Sequence, residues 1–180
     1  MATLHHQVWM NTPAEKLYEA ISTVDGIGSW WDKAKATETK VGTVLEFNPG
    51  AAHGTLKAKV LDLVPGKRVE WEFISTHPKS SPASAWTGTH AVFEVTERKP
   101  PAFEVIKNAR MAVLDFRHSG WDENSEWLGY CNSGWGEALQ RLKQLTESRS
   151  PPQIASPSDR AAARGVARWS GTPERSGSRK

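Results

Sequence analysis

The sequence predicts an α+β domain: one antiparallel sheet with helices gathered on a single face. Two observations predict it. Short segments in the middle of the chain alternate apolar and polar residues, and alternation with one polar face marks a sheet covered on one side only. On either side of that run the apolar residues recur at helical spacing instead. Helices set apart from a run of strands define the α+β class.

The elements follow in order. Leu4 to Met10 reads as a first strand. Thr12-Pro13-Ala14-Glu15 then reads as an N-cap Thr, Pro at the first helical position and Glu at N3, a capping box. Leu17, Ala20, Ile21 and Val24 continue it at spacing i, i+3, i+4, i+7, so a short amphipathic helix is expected. Asp25 to Gly28 is expected to break it, with a second short helix beginning at Ser29-Trp30-Trp31. Strands follow: Val41 to Phe47, with Val41, Thr43, Leu45 and Phe47 on one face; then Thr55 to Val64. Pro65-Gly66 joins the latter to Val69 to Ile74 as a hairpin, because such a pair marks a tight turn. There Val69, Trp71 and Phe73 face one way and Glu70 and Glu72 the other. A Pro/Ser loop leads into a strand from Trp86 to Thr96; after a turn at Arg98 to Pro101 comes another from Met111 to His118, with Ala112, Leu114, Phe116 and His118 on one face. Finally Trp127, Cys131, Trp135, Leu139, Leu142 and Leu145 form one helical stripe. A helix from Ser125 to Thr146 would be about 30 Å long, enough to cross a whole sheet.

Composition narrows the function classes. The chain has 180 residues and a net charge of +3. From Arg149 to Lys180 there are seven Lys/Arg against two Asp/Glu, leaving sixteen against eighteen before it. The positive charge therefore belongs to the tail, and a nucleic-acid partner for the body loses its support. Residues 1–148 read as one domain. Residues 149–180, rich in Pro, Ser and Arg, read as a disordered basic tail. No segment resembles a secretory leader or a membrane span, and the lone Cys131 allows no intrachain disulfide, so a soluble, cytoplasmic protein is expected. The six histidines form no metal-binding pattern and there is no phosphate loop or complete dinucleotide fingerprint. No metal and no cofactor are expected.

Particular residues carry a family resemblance. They are Asn11 to Tyr18 at the first helix, Ile27-Gly28-Ser29-Trp30-Trp31 after it, and Pro65 to Trp71 on the hairpin. Trp86-Thr87-Gly88-Thr89-His90, His118-Ser119-Gly120-Trp121 and Tyr130 to Trp135 complete the set. In order and spacing the chain resembles the SRPBCC (START-like) superfamily, and within it the bacterial activator-of-heat-shock-protein-ninety-ATPase homologues. The resemblance implies a helix-grip fold: a curved antiparallel sheet wrapped around the long C-terminal helix, with two short helices after the first strand. It also implies a cavity for lipids, polyketides or other apolar molecules. A co-chaperone-like role, or a polyketide cyclase or hydrolase using the same cavity, are the alternatives; enzyme activity is not the favoured one. A monomer or homodimer is expected, with no membrane insertion.

Nine tryptophans, eight of them before residue 149, make either an aromatic core or a ring-lined cavity. The expected lining is Trp71, Phe73, Trp86, Leu114 and Phe116 from the sheet and Trp127, Cys131 and Trp135 from the last helix. Trp30 and Trp31 are adjacent, so one enters the core and the other rims the mouth. His90 and His118 lie at apolar strand positions. Each is either a satisfied core histidine or a polar anchor for a ligand. Cys131, on the apolar stripe, reads as an inert thiol. Gly129, Gly134 and Gly136 inside the last helix carry a helix-propensity cost that calls for a reason.

Overall fold

The structure is a computed structural model that describes residues 1–99 and 111–148. The expected tail, and the turn expected through Pro101, lie outside the described residues. The elements are β1 (Ala2–Met10), α1 (Ala14–Ser22), α2 (Val24–Trp30), β2 (Val44–Phe47), β3 (Leu56–Val64), β4 (Arg68–Phe73), β5 (His90–Arg98), β6 (Met111–Trp121) and α3 (Leu128–Glu147). Six strands form one antiparallel sheet in the order β1-β6-β5-β4-β3-β2. The chain's first strand closes on its last, and β2 is the opposite edge. Val60 pairs with Trp71 but Asp62 with Glu70, so Leu61 is an extra residue. Such a bulge bends a strand and sharpens its twist, which curves the sheet around α3.

Period-two alternation explains which face is buried. Val69, Trp71 and Phe73 of β4, Ala91, Phe93 and Val95 of β5, and Ala112, Leu114, Phe116 and His118 of β6 all face the helices and are buried. The outer face carries charge. Arg68 reaches Asp62 at 2.8 Å and Glu70 at 2.5 Å, and Arg117 reaches Glu94 at 2.5 Å. Opposite charges facing one another across and along the strands let that side stay in water.

The helix α3 is unbroken through its three glycines. Gly129 and Gly134 face open space, and a Cβ at Gly136 would lie 3.7 Å from the His6 ring, an ordinary contact. His6 Nε2 donates to Asn132 Oδ1 at 2.9 Å there. The far end is held by Thr12, whose hydroxyl donates to the Thr146 carbonyl at 2.9 Å, and by the Asn11 N–H, which donates to the Glu147 carboxylate at 2.7 Å. Among the described residues no helix is long and apolar enough to cross a membrane.

Four differences from the sequence expectation have an identifiable physical reason. Thr12 does not cap α1, because its hydroxyl is committed to α3; Pro13 occupies the cap position. The segment 25–28 does not break the helical region. It forms the body of α2, with Thr23 as cap accepting from the Gly26 N–H at 3.0 Å. Val41 is 60% exposed and leads into a turn at Gly42 (φ +91°), so β2 begins only at Val44. Trp86 precedes β5: Thr89 N–H bonds back to the Trp86 carbonyl at 2.9 Å around Gly88 (φ +78°).

At Gly26 the packing of α2 on α1 leaves no room for a side chain. A Cβ would overlap the Glu19 carbonyl and lie 2.6 Å from Thr23 Oγ1 and 2.8 Å from Ala20 Cα. Gly26→Ala should therefore destabilise the fold by about 1–3 kcal/mol, the usual cost of overpacking. Gly134→Ala, on an open helix face, should instead stabilise it by roughly 1 kcal/mol. Urea unfolding of the two variants checks both signs.

Candidate functional site

Trp135 sits on the buried stripe of α3, and its ring packs 4.4 Å from that of Phe116 on β6. Its indole N–H donates to His118 Nδ1 at 2.9 Å. An indole can only donate, so Nδ1 is unprotonated and the imidazole carries its hydrogen on Nε2. That hydrogen goes to Thr89 Oγ1 at 2.7 Å, and the Thr89 hydroxyl donates to the Trp86 carbonyl at 2.6 Å. Every donor in the chain finds an acceptor. His118 is fully buried, and burial, with a smaller contribution from nearby His90, lowers its pKa to about 3. It is a neutral imidazole with both nitrogens committed.

Around this chain the aromatic residues form a cage, and Trp31 sits within it. Trp31 follows the last residue of α2 with φ −108° and ψ −93°. That turn carries its ring in toward the sheet. The ring lies parallel to Trp71 (5.4 Å between centroids, 6° between planes) and 5.1 Å from Trp135. Phe47 is 4.8 Å away, and Trp30, Phe73 and Trp86 lie within 6.3 Å. Trp31 is half-buried although six rings surround it. Its neighbour Trp30 is fixed: its N–H donates to the Ala20 carbonyl at 2.9 Å, and its own carbonyl accepts from Arg141 Nε at 3.1 Å.

The structure brings together Trp30, Trp31, Trp71, Phe73, Trp86, Phe116, His118 and Trp135. Leu114 is buried one step further along β6, and Trp86 donates its N–H to Cys131 Sγ at 3.3 Å. Burial pushes the Cys131 thiol up, which suits an inert group. Trp127 stands at the N-cap of α3, half-buried, with Tyr130 6.1 Å away. His90 does not join the cage. The inward positions of β5 belong to Ala91, Phe93 and Val95, so His90 faces outward, with Nδ1 3.2 Å from Glu70 Oε1. Alternation counted from Trp86 puts His90 inward, and the turn at Gly88 removes that register. Three rings of the cage, Phe47, Phe93 and Trp121, and the Thr89 hydroxyl are additions to the expected set. Phe47 and Phe93 were signalled by their alternation, and Thr89 and Trp121 by their place in the family segments. Among the described residues no cluster of three His, Cys, Asp or Glu is arranged to hold a metal ion.

A sheet curved around a long C-terminal helix, with a ring-lined interior between them, defines a helix-grip domain of the SRPBCC class. The chain belongs to the family described as Activator of Hsp90 ATPase homolog 1-like protein, whose model matches residues 11–147. It is similar to the Aha1 dimer from Colwellia psychrerythraea, solved in solution, at 28% identity and a TM-score of 0.64, over 82% of this chain and 97% of that one. Protein MLL2253 from Mesorhizobium loti shares 21% identity, with a TM-score of 0.64, over 83% of this chain and 99% of that one. DynU16, from the dynemicin biosynthetic locus, shares the fold at 16% identity, with a TM-score of 0.57, over 83% of this chain and 48% of that one. A comparison with curated proteins found no match.

The His118 assignment has two measurable consequences. Nitrogen-15 spectra should show Nε2 protonated and Nδ1 bare, with no titration between pH 8 and 5. The unfolded chain binds a proton near pH 6.5 that the folded chain refuses until about pH 3. Stability should therefore fall as pH drops below 6.5, at up to about 1.4 kcal/mol per pH unit. Urea midpoints between pH 7 and 5, above most carboxylate titration, measure that slope.

Proposed function

We propose that this chain binds a flat, apolar small molecule between the sheet and α3, in the slot that the Trp31 ring takes up. One observation carries the reading: a half-buried indole at the end of a seven-residue helix stacks parallel to Trp71 with Trp135 close by. A planar group held among rings is the arrangement a planar guest would adopt. A Trp side chain buries 150–250 Å², so withdrawing it fully would cost at most about 4–6 kcal/mol of apolar burial. A guest of similar or larger area offsets that cost. The flat slot favours a polyketide-like or other aromatic guest over a flexible lipid chain, and a fold neighbour from a natural-product locus is in keeping with this. The lone cysteine suits a cytoplasmic setting.

The family name supports a second reading, co-chaperone-like activation of an Hsp90-type ATPase. That role needs a docking face and not the slot. A cyclase or hydrolase would need a base in the slot. His118 has no free nitrogen and His90 faces the other way, so neither supports it.

Replacing the plug tests the proposal. Trp31→Ala should bind fluorene, a flat apolar probe, at least tenfold more tightly than the wild type, because the guest no longer competes with the ring. Calorimetry and native mass spectrometry provide the readout. A variant with wild-type far-UV circular dichroism that binds fluorene no better, and retains no small molecule on purification, would sink it.

A further inference from the structure

Two loops at one end of the sheet, before β3 and after β4, bring together a polar array apart from the aromatic cage. Beyond Phe73, where β4 ends, the Ser75 hydroxyl accepts from the Lys57 N–H at 2.8 Å. Ser75 Oγ also lies 2.8 Å from His77 Nε2, and His77 Nδ1 lies 2.6 Å from the His53 carbonyl oxygen. A carbonyl can only accept, so Nδ1 carries a hydrogen and donates it. In the neutral ring Nε2 is then bare, and the Ser75 hydroxyl donates to it. The His53 carbonyl is held in turn by its own residue. The His53 N–H donates to the Gly50 carbonyl at 3.0 Å, and its ring Nδ1 lies 2.9 Å from the Ser81 hydroxyl oxygen. Ser81 is buried and caps the turn Pro82–Ala85, accepting from the Ala83 N–H at 3.2 Å.

We infer that Ser75 and His77 form an acyl-transfer site that hydrolyses small carboxylic esters. The site lies outside the aromatic slot and does not depend on a guest there. Three features lead to it. A hydroxyl aimed at a bare imidazole nitrogen, with the ring oriented by a fixed acceptor on its far side, is the arrangement that activates a serine. Ser75 and His77 are each half-buried, so solvent reaches the pair, whereas His118 is sealed in the core. Among the described residues the Ser75 N–H has no hydrogen-bond partner, and the nucleophile's own N–H is one of the donors that meet the oxyanion in such sites. In the first step Ser75 Oγ bonds to the ester carbonyl carbon and its proton passes to His77 Nε2. The carbon–oxygen bond to the alcohol then breaks, and His77 returns the proton to the leaving oxygen. Water attacks the acyl-serine in the second step, giving one proton to His77. That proton moves to Ser75 Oγ as the carboxylic acid departs. Throughout, the His53 carbonyl keeps the Nδ1–H and with it the orientation of the ring.

Diisopropyl fluorophosphate traps activated serines by forming an oxygen–phosphorus bond and releasing fluoride. On the full chain, peptide mass spectrometry should find the adduct on Ser75, formed about a hundredfold faster than on the exposed neighbour Ser80, the lower end of what a positioned base supplies. The trapped protein should lose its hydrolysis of p-nitrophenyl acetate. His77→Gln, with wild-type far-UV circular dichroism, should slow both trapping and hydrolysis by about the same hundredfold. Ser75→Ala should abolish the adduct at that position. If the wild type takes no adduct on Ser75, or Ser75 reacts no faster than Ser80, the hydroxyl only ties two loops together and the inference is wrong. That comparison is made within one wild-type protein and does not depend on a variant folding. Equal rates in the wild type and folded His77→Gln would remove the base and overturn it as well.

Discussion

An indole buried in the hollow of a sheet must bring its N–H to an acceptor, and for Trp135 that acceptor is His118. The hydrogen-bond chain from Trp135 through His118 and Thr89 to the Trp86 carbonyl joins α3, β6 and the turn before β5. It fixes the rotation of α3, because only one rotation places the Trp135 N–H on Nδ1. It fixes the imidazole tautomer, because a donor-only partner leaves one choice. It also explains why a histidine can sit fully buried at a strand position that alternation assigns to the core. The imidazole is neutral and saturated, so its burial leaves no hydrogen bond unmade.

The aromatic interior depends on that clamp. With Trp135 held, its ring and that of Phe116 make one side of the cage, and Trp71, Phe73 and Phe93 of the neighbouring strands make the other. Trp31 occupies the middle. Its position is imposed from outside the cage: Trp30 is bonded to α1 and α3, and Gly26 lets α2 lie close on α1. The anchored part of α2 thus ends one residue before the ring that fills the slot. A change confined to Trp31 would alter what the slot holds while leaving the hydrogen-bonded frame intact. That division between a fixed frame and one replaceable ring is the feature on which the proposed binding of a guest rests.

Much of the architecture was legible in the sequence because side-chain periodicity is a local property. Val69-Glu70-Trp71-Glu72-Phe73 can bury one face only as a strand, and Cys131, Trp135, Leu139 and Leu142 share a face only as a helix. The order of elements along the chain, α3 and most of the rings that meet followed from such patterns and from the family segments. The misplaced elements were those where a side chain or turn answers to a distant partner. Thr12 reads as a cap until Thr146 takes its hydroxyl. His90 reads as a core residue until the turn at Gly88 moves the start of its strand.

The sequence by itself determined the class of fold, the apolar faces and the supply of aromatic rings, since each depends on the spacing of neighbours along the chain. Only the tertiary structure decided which donor meets which acceptor: Trp135 on His118, Trp30 on Ala20, and Trp86 on Cys131. It alone placed the Trp31 ring among six others. Those outcomes depend on distances between residues ten or more positions apart, and on the rotation of one helix over one curved sheet, which no local pattern records.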